Sequence, residues 1–190
     1  MIKKLTYPFT PAQVRSLKVG ERVLLCGRIF TGRDRLHQYL AAGRRSPVSL
    51  RNGAIYHCGP VVVRAKGRWN VRAAGPTTSA RLEPYMASII KRYGLSLIIG
   101  KGGMGASTAQ ACRDYGCTYL QAVGGAAQVL KDTVQKVCGV HLYKAFGPTE
   151  ALWELEVRDF PCLVTMDARG RNLPAQIAKR SETMLRKLTR

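Results

Sequence analysis

Apolar residues along this chain recur with two different periods. ERVLLCGRIF (21–30), LSLIIG (95–100) and CTYLQAV (117–123) are short, nearly continuous runs, the pattern of strands buried on both faces. ARLEPYMASIIKRYG (80–94) instead sets apolar residues at 82, 85, 86, 89, 90 and 93, a helical stripe that Gly94 ends. TGRDRLHQYLAAG reads as a turn into a helix closed by Gly43, and GAIYHCGPVV as a strand stopped at Gly59-Pro60. VVVRAKGRWNVRAAG is one or two strands broken at Gly67. Beyond the loop KGGMG a helix runs to about Tyr115. GGAAQVLKDTVQKV predicts a loop and short helix, GVHLYKAF a strand, and ALWELEVRDFPCLVTMD one or two strands, with Pro161 opening the second. Residues 173–188 predict an amphipathic helix with Leu173, Ile177, Met184, Leu185 and Leu188 on its apolar face. Strands alternating with helices imply an α/β fold with some parallel pairing, and 190 residues suit one domain.

Composition changes this picture in one respect. Lys and Arg number 31 against 11 acids, a net charge of +20, and residues 1–75 carry fifteen basic side chains but only Glu21 and Asp34 as acids. Such a surface attracts anionic substrates, acidic protein partners or polyanions. No zinc finger, aromatic platform or groove-sized helix module accompanies the charge, so nucleic acid is the less favoured partner. No apolar run approaches the ~18 residues needed to span a bilayer. Tyr7-Pro8 and polar residues interrupt the apolar stretch a secretory leader requires, so a cytoplasmic location is expected. The six cysteines, at 26, 58, 112, 117, 138 and 162, lack CxxC spacing and read as mostly buried free thiols, with no metal site of the chain's own.

Three loops carry candidate chemistry. GPTTSARLEPY (75–85) packs hydroxyls and Arg81 where a helix begins, and unpaired N–H groups at such an end favour an anion. IIGKGGMG (98–105) joins a strand to a helix through a glycine-rich turn with Lys101, without the spacing of a P-loop or a dinucleotide site. FTGRDRLH sets Arg33 at a strand-to-helix junction. Singly, each also reads as ordinary structure: a helix cap by Thr78 or Ser79, a tight turn, a surface arginine. Together they offer three cations after three strands, an arrangement suited to a dicarboxylate. His37 reads as a surface or capping residue and His57 as buried and hydrogen-bonded, while Trp153 and Phe160 read as core and His141 carries no functional signal.

GPTTSARL, IIGKGGM, FTGRDRLH, AIYHCGPV, AVGGAAQ and GPTEALWELEVRDFPCLVTMDARG, in order over roughly residues 5–175, resemble the β subunit or C-terminal domain of the iron–sulfur fumarases and L-tartrate dehydratases. The resemblance implies a three-layer β/β/α swivelling domain and a hydro-lyase that adds water to fumarate or removes it from a 2-hydroxy dicarboxylate. It also implies a [4Fe–4S] cluster held by three cysteines of a separate α subunit, whose iron acts as Lewis acid on the departing hydroxyl. Carried over by motif, Thr77 matches the proposed catalytic base, and Arg33, Arg81 and Lys101 match substrate contacts. Ala80 and Leu82 stand where relatives often have Gly and Met. The expectation is a β-type domain over residues 1–190, inert until its α subunit joins it, with further oligomerisation open. Fumarate is favoured over tartrate as substrate, and a basic nucleic-acid- or acidic-protein-binding module is the reading from another class.

Overall fold

Two long antiparallel strands organise the computed structural model, which describes residues 2–189. β2 (Arg22–Gly32) lies against β9 (Leu152–Met166) from Arg22 opposite Leu163 to Phe30 opposite Glu154. The other edge of β2 receives β1 (Ile2–Thr6) and then β3 (Ala54–His57), both parallel. β6 (Leu97–Gly100) and β7 (Thr118–Gln121) continue the parallel run, and β7 returns antiparallel to β9. The pairings therefore close a ring, β2–β3–β6–β7–β9, with β1 and β8 (Val134–His141) as outer extensions.

Period-two alternation gives the parallel strands two buried faces. Ile55, Ile98 and Tyr119 pack against α2 (Asp34–Ala41), α3 (Glu83–Tyr93) and α4 (Ala106–Tyr115), whose stripes contribute Leu36, Leu40, Met86, Ile89, Ile90, Ala111 and Cys112. Their sequence neighbours Tyr56, Leu97, Ile99 and Leu120 face the opposite way, onto Leu25, Ile29, Trp153, Leu155 and Phe160. Two cores separated by one parallel layer give the three-layer β/β/α arrangement that the resemblance implies. The helix stops also hold: Gly43 and Gly94 take φ of 80° and 62°, a left-handed region where a side chain is strained.

Some elements differ from the sequence reading. TPAQ forms a capping box at the start of α1 (Pro11–Arg15), and neither this helix nor β1 was foreseen. GVHLYKAF is not one strand, because Leu142 turns left-handed at φ 59° and the chain enters α6 (Tyr143–Phe146). The strand starts earlier, at Val134, after α5 (Ala127–Asp132). β9 is one strand: Asp159, at φ 55°, twists it locally, and Pro161 sits opposite Leu24 without breaking it. VVVRAKGRWNVRA forms two strands, β4 (Val61–Ala65) and β5 (Arg68–Ala73), reversed at Lys66-Gly67 with both φ positive. α7 (Leu173–Leu188) forms where expected, but its apolar stripe lies open, with Ile177, Met184, Leu185 and Leu188 between 52% and 78% exposed. No described helix is long and apolar enough to cross a membrane. Cys58, Cys112, Cys117 and Cys162 are buried, Cys26 is half-buried and Cys138 is exposed, all as free thiols.

Candidate active site

Because β2, β3, β6 and β7 are parallel, the loops after all four open along one edge of the sheet. β2 delivers Arg33, β6 delivers Lys101, and β3 ends at His57, from which the chain makes the β4–β5 hairpin before returning at Thr77. Backbone hydrogen bonds join the segments: Thr77 N donates to His57 O at 2.7 Å, Ser79 N to Lys101 O at 3.0 Å and Ala122 N to Gly100 O at 2.8 Å. Thr78 and Lys101 form a parallel bridge. Lys101 then runs past Gly124, where an added Cβ would lie 3.5 Å from its Cδ.

Side chains complete the cluster. Arg81 Nη2 donates to Thr77 Oγ1 at 2.9 Å and to Asp34 Oδ2 at 3.2 Å. The same Asp34 oxygen stands 3.9 Å from Arg33 Nη2, so one carboxylate links the two arginines. Arg33 Nε, buried and without a hydrogen bond, lies 3.5 Å from Glu150 Oε1. Glu150 is itself fixed by the Arg35 amide at 2.9 Å. Arg33 fits only because position 59 is glycine: a Cβ there would come within 2.6 Å of both Arg33 Cδ and Thr149 O. Arg33, Thr77 and Arg81 thus share one side-chain cluster, and Lys101 joins them through the backbone, its ammonium unpaired among the described residues.

The turn is built differently from a helix N-terminus. Residues Ser79–Leu82 form a 3₁₀ turn, α3 begins only at Glu83, and the amides of Thr77 and Ser79 are already spent on carbonyls. The amides of Thr77 and Ser79 are thus closed to a ligand, and the turn presents the Arg81 guanidinium and the Thr77 hydroxyl instead. Arg81 precedes α3, and Glu83 holds the acid position of its first turn, as the helix dipole favours. The N-terminus of α4 is filled as well: the Glu83 carboxylate accepts from Gly105 N at 2.7 Å, Thr108 N at 3.0 Å and Thr108 Oγ1 at 2.7 Å. Of KGGMG, the Gly105 amide is thus taken by Glu83, and Lys101 stands at the other end of the loop.

Ser79 does not cap a helix. It is fully buried, and its Oγ accepts from Tyr119 Oη at 2.9 Å and meets His57 Nδ1 at 2.9 Å. A Cβ on Gly100 would collide with that oxygen, so the glycine makes room for the network. His37 corrects the sequence reading: it is fully buried, because it shares the inward stripe of α2 with Leu36 and Leu40. Its Nδ1 donates to Arg33 O at 2.7 Å, and its ring meets that of His57 edge to face at 4.9 Å. Burial pushes His37 down to about 4, partly offset by the Arg33 carbonyl and Asp34. Burial, and then the His37 ring, holds His57 well below the usual range. Burial thus keeps both rings neutral at pH 7, and the two residues hold the backbone of Arg33 and Thr77 through the Arg33 carbonyl and the Thr77 amide.

Asp34, Glu150 and Tyr119 were missed from the sequence, and Ser79 was read there only as a helix cap. Only Asp34 carried a signal, as one of two acids in the first 75 residues.

The edge gathers cationic and hydroxyl-bearing side chains on a three-layer domain, and the comparisons identify its class. A family model described as "Fumarase C-terminus" matches residues 2–177, and the chain belongs to that family. It is 49% identical over 178 residues to a Geobacillus stearothermophilus protein named "Putative fumarate hydratase class I", covering 93% of this chain but 34% of that protein. The chain thus spans about a third of that relative's length. A Methanocaldococcus jannaschii protein named "Putative L(+)-tartrate dehydratase subunit beta" is 38% identical over 184 residues, with 94% of both chains covered. The L(+)-tartrate dehydratase subunit beta of Escherichia coli K12 is 34% identical over 181 residues, covering 94% of this chain and 90% of its own. The iron–sulfur cluster that the resemblance implies does not fit this chain's own side chains: the described residues contain no group of three or more His, Cys, Asp or Glu able to hold a metal ion.

Proposed function

We propose that this chain is the substrate-binding β subunit of a heteromeric hydro-lyase that reversibly hydrates fumarate to L-malate, completed by an α subunit carrying a [4Fe–4S] cluster. The observation that carries the reading is the 2.9 Å hydrogen bond from Arg81 to Thr77 Oγ1. A threonine hydroxyl is a weak base unless its alkoxide is stabilised, and a guanidinium donating to that oxygen does so. Thr77 then holds or takes the proton next to one substrate carboxylate, while Arg33, Arg81 and Lys101 bind the carboxylates and the charge that develops on proton loss.

The internal carboxylates explain why a partner is needed. Three cations against Asp34 and Glu150 leave one net positive charge on this half-site, too little to neutralise a dianion. In this reading the α subunit supplies the remaining attraction. L-Tartrate dehydration is the second reading, favoured by the two relatives named as β subunits, which this chain covers over 94% and 90% of their length.

The test is anaerobic co-expression with an α chain bearing three suitably spaced cysteines, following fumarate absorbance, with tartrate as the competing substrate. Thr77→Ala is expected to lower kcat by about 10²–10⁴-fold in an intact complex. Unchanged turnover in that complex refutes the role assigned to Thr77.

A further inference from the structure

A second cationic site lies at the far ends of α2 and α3, away from the loops that carry Thr77. Arg44, Arg45, Arg51 and Arg92 line a surface cavity of about 460 Å³ between the C-terminal ends of the two helices. Residues 43–51, GRRSPVSLR, contain no acid, and none of the four guanidiniums is ion-paired among the described residues.

The arginines are placed by the fold. A Cβ on Gly43 would lie 2.7 Å from Arg92 Nη1, so the glycine that ends α2 makes room for that guanidinium, and the Arg51 side chain packs beside Gly94 at the end of α3. The loop between them is pinned: Tyr93 Oη lies 2.7 Å from Arg44 O and 3.0 Å from Leu40 O, and Tyr39 Oη donates to Arg45 O at 3.2 Å. Asn52 N closes it onto Gly94 O at 3.0 Å.

Helix C-termini attract cations without any ligand, and this has to be discounted. Two helix ends carry together about one negative charge. Four guanidiniums exceed that by roughly three charges, which is the excess a bound anion would balance.

We propose that this cavity binds a small anion carrying two or more phosphate groups. Arginine forks approach from both walls, Arg44 and Arg45 from the loop after α2 and Arg92 from α3, with Arg51 at the loop's far end. A tetrahedral phosphate presents oxygens in several directions and bridges such forks, whereas one planar carboxylate fills a single fork. The site does not depend on the hydro-lyase reading. It does share its helices with that site, since Arg33 is the N-cap of α2 and Arg81 lies in the 3₁₀ turn that leads into α3.

Isothermal titration of the full chain with tripolyphosphate, at about 0.15 M salt so that diffuse attraction is screened, tests the proposal. One saturable site is expected. Arg44→Gln/Arg92→Gln should weaken it about tenfold or more, while Arg68→Gln/Arg72→Gln, which removes the same charge from the β4–β5 hairpin, should change it less than about twofold. Melting curves verify that both variants fold. Equal weakening by the two pairs, or binding that never saturates, overturns the site in favour of diffuse attraction to a +20 protein. A short single-stranded oligonucleotide then distinguishes the source. If it displaces tripolyphosphate from the same arginines, the phosphates belong to nucleic acid and the small-anion assignment is overturned; if it does not, they belong to a free metabolite, as proposed.

Discussion

Ser79→Ala is the sharpest probe of how the site is supported. The serine oxygen accepts from the Tyr119 hydroxyl and meets His57 Nδ1, and both of these residues are fully buried. Removing it strands two polar groups, each costing about 1–3 kcal/mol, against the loss of only one small atom's packing. The expected destabilisation is therefore about 2–5 kcal/mol, read from urea unfolding of the full chain by circular dichroism. Adding Tyr119→Phe removes one stranded hydroxyl, so the double variant should lie about 1–2 kcal/mol above the additive sum. A Ser79→Ala loss under about 0.5 kcal/mol, or strict additivity with Tyr119→Phe, would refute the network.

Other outcomes follow from the same geometry. His37 has a folded-state pKa of about 4 against an ordinary value of 6.5, so its contribution is fully present above pH 6.5 and is lost as pH falls toward 4. That loss is about 3 kcal/mol, and His57 adds to it in the same direction, so a urea midpoint that stays flat from about pH 7 to 5 would contradict the burial argument. Glu83→Gln leaves an amide facing N–H donors at the start of α4, and should cost about 1–3 kcal/mol and speed hydrogen exchange at Gly105 and Thr108. Unchanged protection there would remove Glu83 from that role. Among thiols, exposed Cys138 should react with a thiol reagent in the native protein. Cys58, which burial pushes up to about 12, should stay silent until denaturant is added, and early labelling of Cys58 would count against the packing.

What the sequence made legible was set by how local each cause is. Gly43 and Gly94 were readable as helix stops because left-handed backbone is a property of one residue. The strand LIIG was readable because a layer buried on both faces needs a continuous apolar run. The site residues were legible only as segments following strands; the resemblance, not the spacing, gave Thr77 and Arg81 their roles. Asp34 and Glu150 are 116 positions apart in sequence, and no local pattern indicates that both reach Arg33. Ser79 was misread because a hydroxyl before a helix usually caps it, whereas the preceding 3₁₀ turn swings this one into the core. His37 was misread even though its spacing from Leu36 and Leu40 put it on the buried stripe, because its polarity was weighed above its position.

The closure of the β4–β5 hairpin has a practical consequence. The chain leaves at His57 and returns at Thr77 with those residues joined by a 2.7 Å hydrogen bond, while Trp69 packs on Trp153 and Gly67 stands in open space at the tip. The detour can therefore grow at its tip while its base stays fixed, and each doubling of a flexible loop adds only about 0.6 kcal/mol of closure cost. A fluorophore-binding peptide or an affinity tag spliced between Lys66 and Gly67 gives this chain a handle within its own fold, and unchanged urea stability would show that the base of the hairpin has not moved.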